Sequence, residues 1–570
     1  MKKIGIFFLV WLVFPLSLPG HDAESRRLQA ALDLINEKDG AVLLHFLSSD
    51  LLAGRETSTP GYLTASEYAA SLFALWGLEP GNRAALSENA PPGAHPYEEF
   101  FQPFELREII SAKSRISFEK RSGSTLERVE LQAGIDYSLQ SDLSFSLEAP
   151  LVFAGYGITE SKLPYDDYKG LDPQGKILLI LEGTPGGNNP DSPFADAEMK
   201  NKYARRQQRG HGGRSFSPLN LAREKGALAV IIISEPDQQG RDFRRRQIDR
   251  TLVDDCEAVI PGRSRRFRLL ETAAGPFRES LPTIHIAMER AREIFALAGK
   301  SLDKHRESID TRFKPASLEL PGIRFKVENQ VESELARCRN VIARLPGSEP
   351  SLADEYVIVG AHLDHLGQRG EYIFNGADDN ASGSVAVLQV ARALANMDPR
   401  PRRSIFFALW TGEEKGLLGS RHFVANSPVP IKRIKSYLNL DMIGTSWTME
   451  RLKRMAGLWN MELPRELQEE GASAADFIAL SHSRHDFLDR TLRRANERVG
   501  MKMILRPSER AGGGSDHASF GLAGVPWVFF MAGMGEHYHR PGDHPDRVDS
   551  ALMTRLARLA FLSTFYLAEE

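Results

Sequence analysis

Residues 374 to 383 read FNGADDNASG, which sets Asp378, Asp379 and Asn380 side by side among glycines and alanines. Asp, Asn and Gly make turns for purely local reasons, so the stretch taken alone reads as a solvated loop. Other acids and histidines change that reading. His362 and Asp364 end the run EYVIVGAHLD, Glu413 and Glu414 end SIFFALWTGEE, and Asp441 lies late in SYLNLDMIG. A fourth run, VPWVFFMAG, leads through a loop to EHYHRPGDHPD, which holds His537 and His539. Carboxylates gathered in one place repel one another and take up protons unless cations neutralise them. Oxygen and imidazole donors without thiolate suit zinc or a similar divalent ion. The set is larger than one ion needs, and it suits a pair about 3.5 to 4 Å apart sharing a bridging carboxylate. Neighbouring side chains leaving an extended strand point to opposite sides. One of Glu413 and Glu414 is therefore expected to bind metal while the other serves as general base.

The elements that must position these groups follow from hydrophobic patterning. The four continuous apolar runs are the signature of strands buried on both faces. Between the first two lies SGSVAVLQVARALANM, an amphipathic helix with Ser382 placed as its N-cap. Alternating strands and helices predict an α/β fold over residues 339–570, a mainly parallel sheet flanked by helices. In such sheets ligands bind in the crevice outside the carboxyl ends of the strands, which is where the acids and histidines fall. Residues 23–147 begin helical, with apolar residues three and four apart, and turn strand-like from about Arg107. Residues 148–290 read as a separate module of short buried strands, APLVFAGYGI, GKILLILEG, ALAVIIISEP and LPTIHIAM, with SPLNLAREKGA as a helix. Its arginine-rich segments, ARRQQRGHGGRS and RDFRRRQIDR, are expected as solvated loops. Residues 291–338 are read as a polar connection.

The chain of 570 residues, 42% hydrophobic, has the length of two to four domains. A formal net charge of −3 gives no reason to expect nucleic acid or an acidic membrane surface as main partner. Residues 1–22 have the layout of a secretory signal peptide: two lysines, an apolar run from Ile4 broken by Pro15, then small and polar residues. A membrane anchor would want ~20 unbroken apolar residues. Export to the periplasm or outside the cell is therefore expected. Only Cys256 and Cys338 are present, too few for a disulfide framework and too far apart in sequence for a thiolate zinc site.

The motifs GAHLDHLG, NGADDNASG, WTGEEKGLLGS, NLDMIG, GGGSDHASF and YHRPGDHPDRVD, in this order over residues 339–570, resemble metallopeptidase family 28. These are co-catalytic zinc exopeptidases that include bacterial aminopeptidases and the glutamate carboxypeptidases. LSSDLLAGRETSTPG resembles the family's leading segment. Residues 148–290, with YDDYKGLDPQGKILLILEG, resemble its inserted β-rich protease-associated domain. The resemblance implies the zinc exopeptidase fold and two Zn2+ per subunit. His362 and Asp441 would hold one ion, Glu414 and His539 the other, and Asp379 would bridge them. It makes Glu413 the general base, Asp364 the carboxylate that orients His362, and Tyr538 a donor to the oxyanion. It also implies a cis peptide between Asp379 and Asn380. His365, His517 and His544 are read as structural, and Asp516 as a hydrogen-bond acceptor behind the ligands. Cys256 and Cys338 do not correspond to the disulfide that some family aminopeptidases carry near the site. The implied activity is that of an aminopeptidase acting on peptides. A carboxypeptidase would need cations such as Arg506, Arg510 or Arg540 for the terminal carboxylate. A one-zinc glutaminyl cyclase and an inactive binding homologue are the remaining alternatives.

Overall fold

Tyr356–His362 and Ser404–Trp410 are buried at every position and Ile434–Leu440 at all but one, as their unbroken apolar sequences predict. In the protein's structure, a computed structural model, these three strands pair in parallel, with Tyr356–His362 in the middle. Trp527–Phe530 adds a fourth parallel strand beside Ile434–Leu440. All four carboxyl ends therefore open on one edge of the sheet. The structure describes residues 19–82, 96–122, 125–187, 189–196, 199, 202–203, 218–234, 250–253, 256–259, 265–270, 281–459, 462–469, 471–475, 477–509 and 513–570. The expected leader up to residue 18 and most of the two arginine-rich segments lie outside these residues.

Helices cover the sheet on both faces, as an α/β sheet with two apolar faces requires. On one side Gly383–Ala395, Ser550–Glu569 and the N-terminal helices Glu37–Leu47 and Pro60–Leu75 enclose the largest core. On the other, Leu418–Ala425 and His517–Leu522 close a smaller aromatic core around Trp410, Phe423, Tyr437 and Phe520. Local chemistry sets where the N-terminal helices begin. Asn36 Oδ1 accepts the Asp39 N–H at 2.9 Å, and Thr59 caps a helix whose first residue is Pro60. Ser382 does not cap the helix it precedes. Its hydroxyl donates to Asp378 O at 2.7 Å, and Asn380 Oδ1 takes the Gly383 N–H at 2.9 Å instead.

The stretch read as a polar connection contains two helices, Met288–Leu297 and Leu302–Arg312, and most of a 28-residue strand, Leu318–Leu345. The first part of that strand pairs antiparallel with Phe145–Phe153 and its last part with Ser404–Trp410, while Phe101–Ser122 runs along most of its length. Phe145–Phe153, Ile177–Leu181, Ala229–Ser234 and Thr283–Ala287 continue in parallel on the far side. One 16-stranded sheet thus runs from the largest core into a further one built around Phe153, Leu179, Ile231 and Phe325. Cys338 lies on the long strand as a buried free thiol. Among the described residues no helix is long and apolar enough to cross a membrane.

Candidate metal centre

The Asp-Asp-Asn turn is built so that one of its side chains alone faces the crevice. Asp378 Oδ1 accepts the Gly444 N–H at 2.7 Å and Asn380 Nδ2 donates to Leu440 O at 2.9 Å. Asp378 and Asn380 thereby lock the turn to the chain on either side of Asp441. From the opposite side Asp543 accepts the N–H groups of Asp378 and Asp379 at 2.9 and 3.0 Å. The Asp379–Asn380 peptide is cis, as the resemblance implies. Gly376, at φ 57°, leaves no space for a side chain: a Cβ would stand 2.2 Å from Asp379 O and 2.4 Å from the His365 ring. Arg55, Met442 and His539 also hold left-handed backbone, at φ 48°, 54° and 57°, a conformation that persists in non-glycine residues only where the surroundings enforce it.

Asp379 gives one carboxylate oxygen to each of two nests. Oδ1 lies 3.3 Å from His362 Nε2, which is itself 3.5 Å from Asp441 Oδ1. Oδ2 lies 3.1 Å from His539 Nε2, which is 3.2 Å from Glu414 Oε2. Atoms held 2.0–2.2 Å from one tetrahedral zinc stand ~3.3–3.6 Å apart, so the four separations lie at that spacing or slightly inside it. His362 Nδ1 donates to Asp364 O at 3.0 Å, which in the neutral ring leaves Nε2 a lone pair aimed at carboxylate oxygens. His362 Nε2 and Asp441 Oδ1 are buried with no hydrogen-bond partner. Lone pairs converging on lone pairs in a buried cluster require a proton or a cation between them. The five residues fit zinc.

The charge balance says the same. Burial alone would raise Asp379, but His362 and His539 hold its carboxyl well below the usual range. Burial likewise works to raise Glu414, yet its carboxyl falls too, under the influence of His539 and His365. Burial opposes the imidazolium of His539, but Glu414 and Asp379 push its pKa up to about 11. His362 rises well above its ordinary value under Asp441 and Glu413. Glu413 sits at the edge of the first nest, 4.0 Å from His362 Nε2. Burial drives its pKa well up, with Glu414, Asp516 and Asp441 adding to the effect. The neighbouring glutamates therefore take different environments, one among cations and one among acids.

The remaining candidates divide. The Asp364 carboxylate stands 3.9 Å from His362 Nδ1; its oxygens accept the Glu413 N–H at 3.1 Å and the Thr57 hydroxyl at 3.0 Å. It is the backbone carbonyl of Asp364 that bonds His362. Tyr538 is partly exposed and stacks on His539 with ring centroids 3.8 Å apart. Asp516 is fully buried, and burial pushes it up to about 7. His537 packs against Gly542, where a Cβ would meet its Nδ1 at 2.6 Å. His544 approaches Asn375 at 3.2 Å, and His517 stacks on Phe529. His365 is more than filler: it is fully buried with Nδ1 2.7 Å from Glu414 Oε1. Its place directly after Asp364 gave no sign of this. Arg55, buried against the backs of the ligand loops, was hidden because an arginine in a loop reads as surface. Of the arginines a carboxypeptidase would need, Arg506 reaches Ser481 Oγ at 3.2 Å, Arg540 follows His539, and Arg510 lies outside the described residues.

Histidines and carboxylates at adjacent strand ends of an α/β sheet, split into two nests by one aspartate, form a donor set suited to divalent cations. Residues 340–564 match the sequence model of peptidase family M28. An aminopeptidase of Pseudomonas aeruginosa strain UCBPP-PA14 is 38% identical over 126 residues, 22% of this chain and 22% of that protein. The glutamate carboxypeptidase 2 homolog of Caenorhabditis elegans is 32% identical over 386 residues, 62% of this chain and 48% of that protein. The matched stretches thus span less than half of these curated relatives. The solved aminopeptidase from Aneurinibacillus sp. strain AM-1 is 19% identical over 94% of this chain and 95% of that one, with a TM-score of 0.49.

Proposed function

We propose that the chain is an exported aminopeptidase that uses two zinc ions to remove N-terminal residues from peptides. The observation that carries this reading is the division of Asp379, one oxygen to His362 and Asp441 and the other to His539 and Glu414. His362, Asp441 and Asp379 would hold one ion, and His539, Glu414 and Asp379 the other. Zinc bound there supplies Lewis acidity toward a carbonyl oxygen and toward water.

The chain's own groups account for the proton movements. Glu413, its pKa raised by burial and by neighbouring acids, takes a proton from the attacking water and returns it to the leaving amine. Asp364 fixes Glu413 through its backbone N–H. The Tyr538 hydroxyl, whose pKa is raised by burial and then by Asp379 and Glu414, stays protonated and can donate to the substrate carbonyl oxygen. The excess of carboxylates suits a substrate ammonium. Residues 148–290 are read as a protease-associated domain that restricts access to short peptides, and residues 1–22 as the leader for export.

Free-amine and N-acetylated peptides offered to the purified chain, with and without zinc, test the reading. Zinc-dependent cleavage of the free-amine peptides alone is expected. Glu413→Gln should lower kcat by ~10²–10⁴ while zinc still binds. Cleavage that ignores acetylation would instead support a carboxypeptidase, the activity in the name of the worm relative.

A further inference from the structure

Three consecutive residues, far from the ligands in sequence, reach the centre from behind. Arg55 is fully buried. Its Nε donates to Leu363 O at 2.9 Å, Nη1 to Asn375 O at 2.7 Å and also to Leu47 O, and Nη2 to Gly376 O at 2.9 Å. Leu363 follows His362, and Asn375 and Gly376 lead into the turn that presents Asp379. One guanidinium thus holds both ligand-bearing loops at a fixed separation. The carbonyl of Arg55 accepts the His365 N–H at 3.2 Å, which places the ring that touches Glu414. Glu56 pairs with Lys415 Nζ at 2.7 Å, one residue beyond Glu414. The Thr57 hydroxyl bonds the Asp364 carboxylate, which in turn bonds the Glu413 N–H.

If this segment only filled space, an apolar side chain would serve at lower desolvation cost. Its polar contacts run instead to the loops that carry His362, Asp379, Glu413 and Glu414. A guanidinium is also the group that can reach several carbonyls at once, because its five donors form a rigid planar fork that lysine lacks. The segment lies outside residues 340–564, the part matched to the family. Arg265 fastens it from the other side, with Nη1 on Thr57 O at 3.1 Å and both Nε and Nη2 on Glu108 at 2.6 Å.

We propose that Arg55, Glu56 and Thr57 form a positioning clamp that presets the two nests, so that zinc affinity depends on these side chains. The inference rests on the metal reading above. Groups that orient metal ligands typically change affinity by ~10–100-fold when removed. The test compares the full chain with its Thr57→Val, Glu56→Gln and Arg55→Lys variants, each stripped of metal. Zinc affinity is measured by competition with a chromogenic chelator, and unfolding of the metal-free proteins is followed in the same buffer. Thr57→Val and Arg55→Lys should weaken zinc binding by ~10–100-fold, and Thr57→Val should do so with its metal-free unfolding midpoint unchanged. Their kcat should fall more than KM rises. If Arg55→Lys does not fold, Thr57→Val decides. A Thr57→Val protein that binds zinc within about twofold of wild type, well short of that range, overturns the clamp and leaves the metal reading intact. Wild-type protein that binds no zinc overturns both.

Discussion

Asp379 faces both nests with one charge, and if the nests take zinc as proposed, the histidines on either side of it must change state. In the metal-free cluster the carboxylates raise His362, through Asp441 and Glu413, well above its ordinary value and His539 up to about 11, which favours the imidazolium form of both rings. Zinc takes neutral imidazole, so binding expels those protons. Titration of zinc into the metal-free protein at pH 7 should release about two protons, which calorimetry in two buffers of different ionisation heat would count. The apparent affinity of each nest should then rise about tenfold per pH unit near neutrality. A release near zero would mean that the rings are already neutral. At this scale the sequence was informative because most of the residues that meet in the cluster end or closely follow apolar runs. It was silent on Arg55 and His365, whose importance lies in contacts that no spacing rule encodes, and it assigned to the Asp364 carboxylate a bond that its backbone makes.

The strands that carry the site were legible because burial on both faces leaves an unbroken apolar run. Leu318–Leu345 was not: its burial alternates along much of its length, and its exposed charged residues disguise a strand as a linker. Element packing also fixes a pH response. His517 opens the short helix His517–Leu522 and lies against Trp527 and Phe529, ring centroids 4.6 and 4.4 Å away. Burial lowers its pKa to about 3. The unfolded chain, with an ordinary value of ~6.5, binds a proton there that the folded chain refuses. Its contribution is therefore whole above ~6.5 and declines as pH falls toward the folded value, by up to about 1.4 kcal/mol per unit. His517→Phe keeps the stacking and removes the titration. Urea unfolding at pH 7 and pH 5 should show a smaller acid loss in that variant than in wild type, and an equal loss would show that other groups set the response.

Across the whole molecule, the sheet makes two cores into one cooperative body. Leu318–Leu345 contributes buried residues to both, Phe325 and Val327 to one and Val341 and Ala343 to the other. Separating the cores would require breaking a strand in its interior and its ladder with Phe101–Ser122. Calorimetric unfolding of the metal-free chain is expected to give one transition, with calorimetric and van't Hoff enthalpies in agreement. Two resolved transitions would mark residues 148–290 as energetically independent. Hydrophobic pattern indicated two regions of strands; it had no means of indicating that a polar strand joins them.

The N-terminal helices have one more consequence. Glu37–Leu47 and Pro60–Leu75 bury their apolar faces in the same core as Ser550–Glu569, and Arg558 Nε bonds Ile35 O across 523 residues of sequence. Contacts of such separation form slowly and late, since the loop between them must be closed first. During synthesis the earliest helices emerge hundreds of residues ahead of the helix that completes their core. Arg55 waits in the same way for loops 308 to 321 residues downstream. The centre can therefore close only once the residues that finish it, near the end of the chain, have been made.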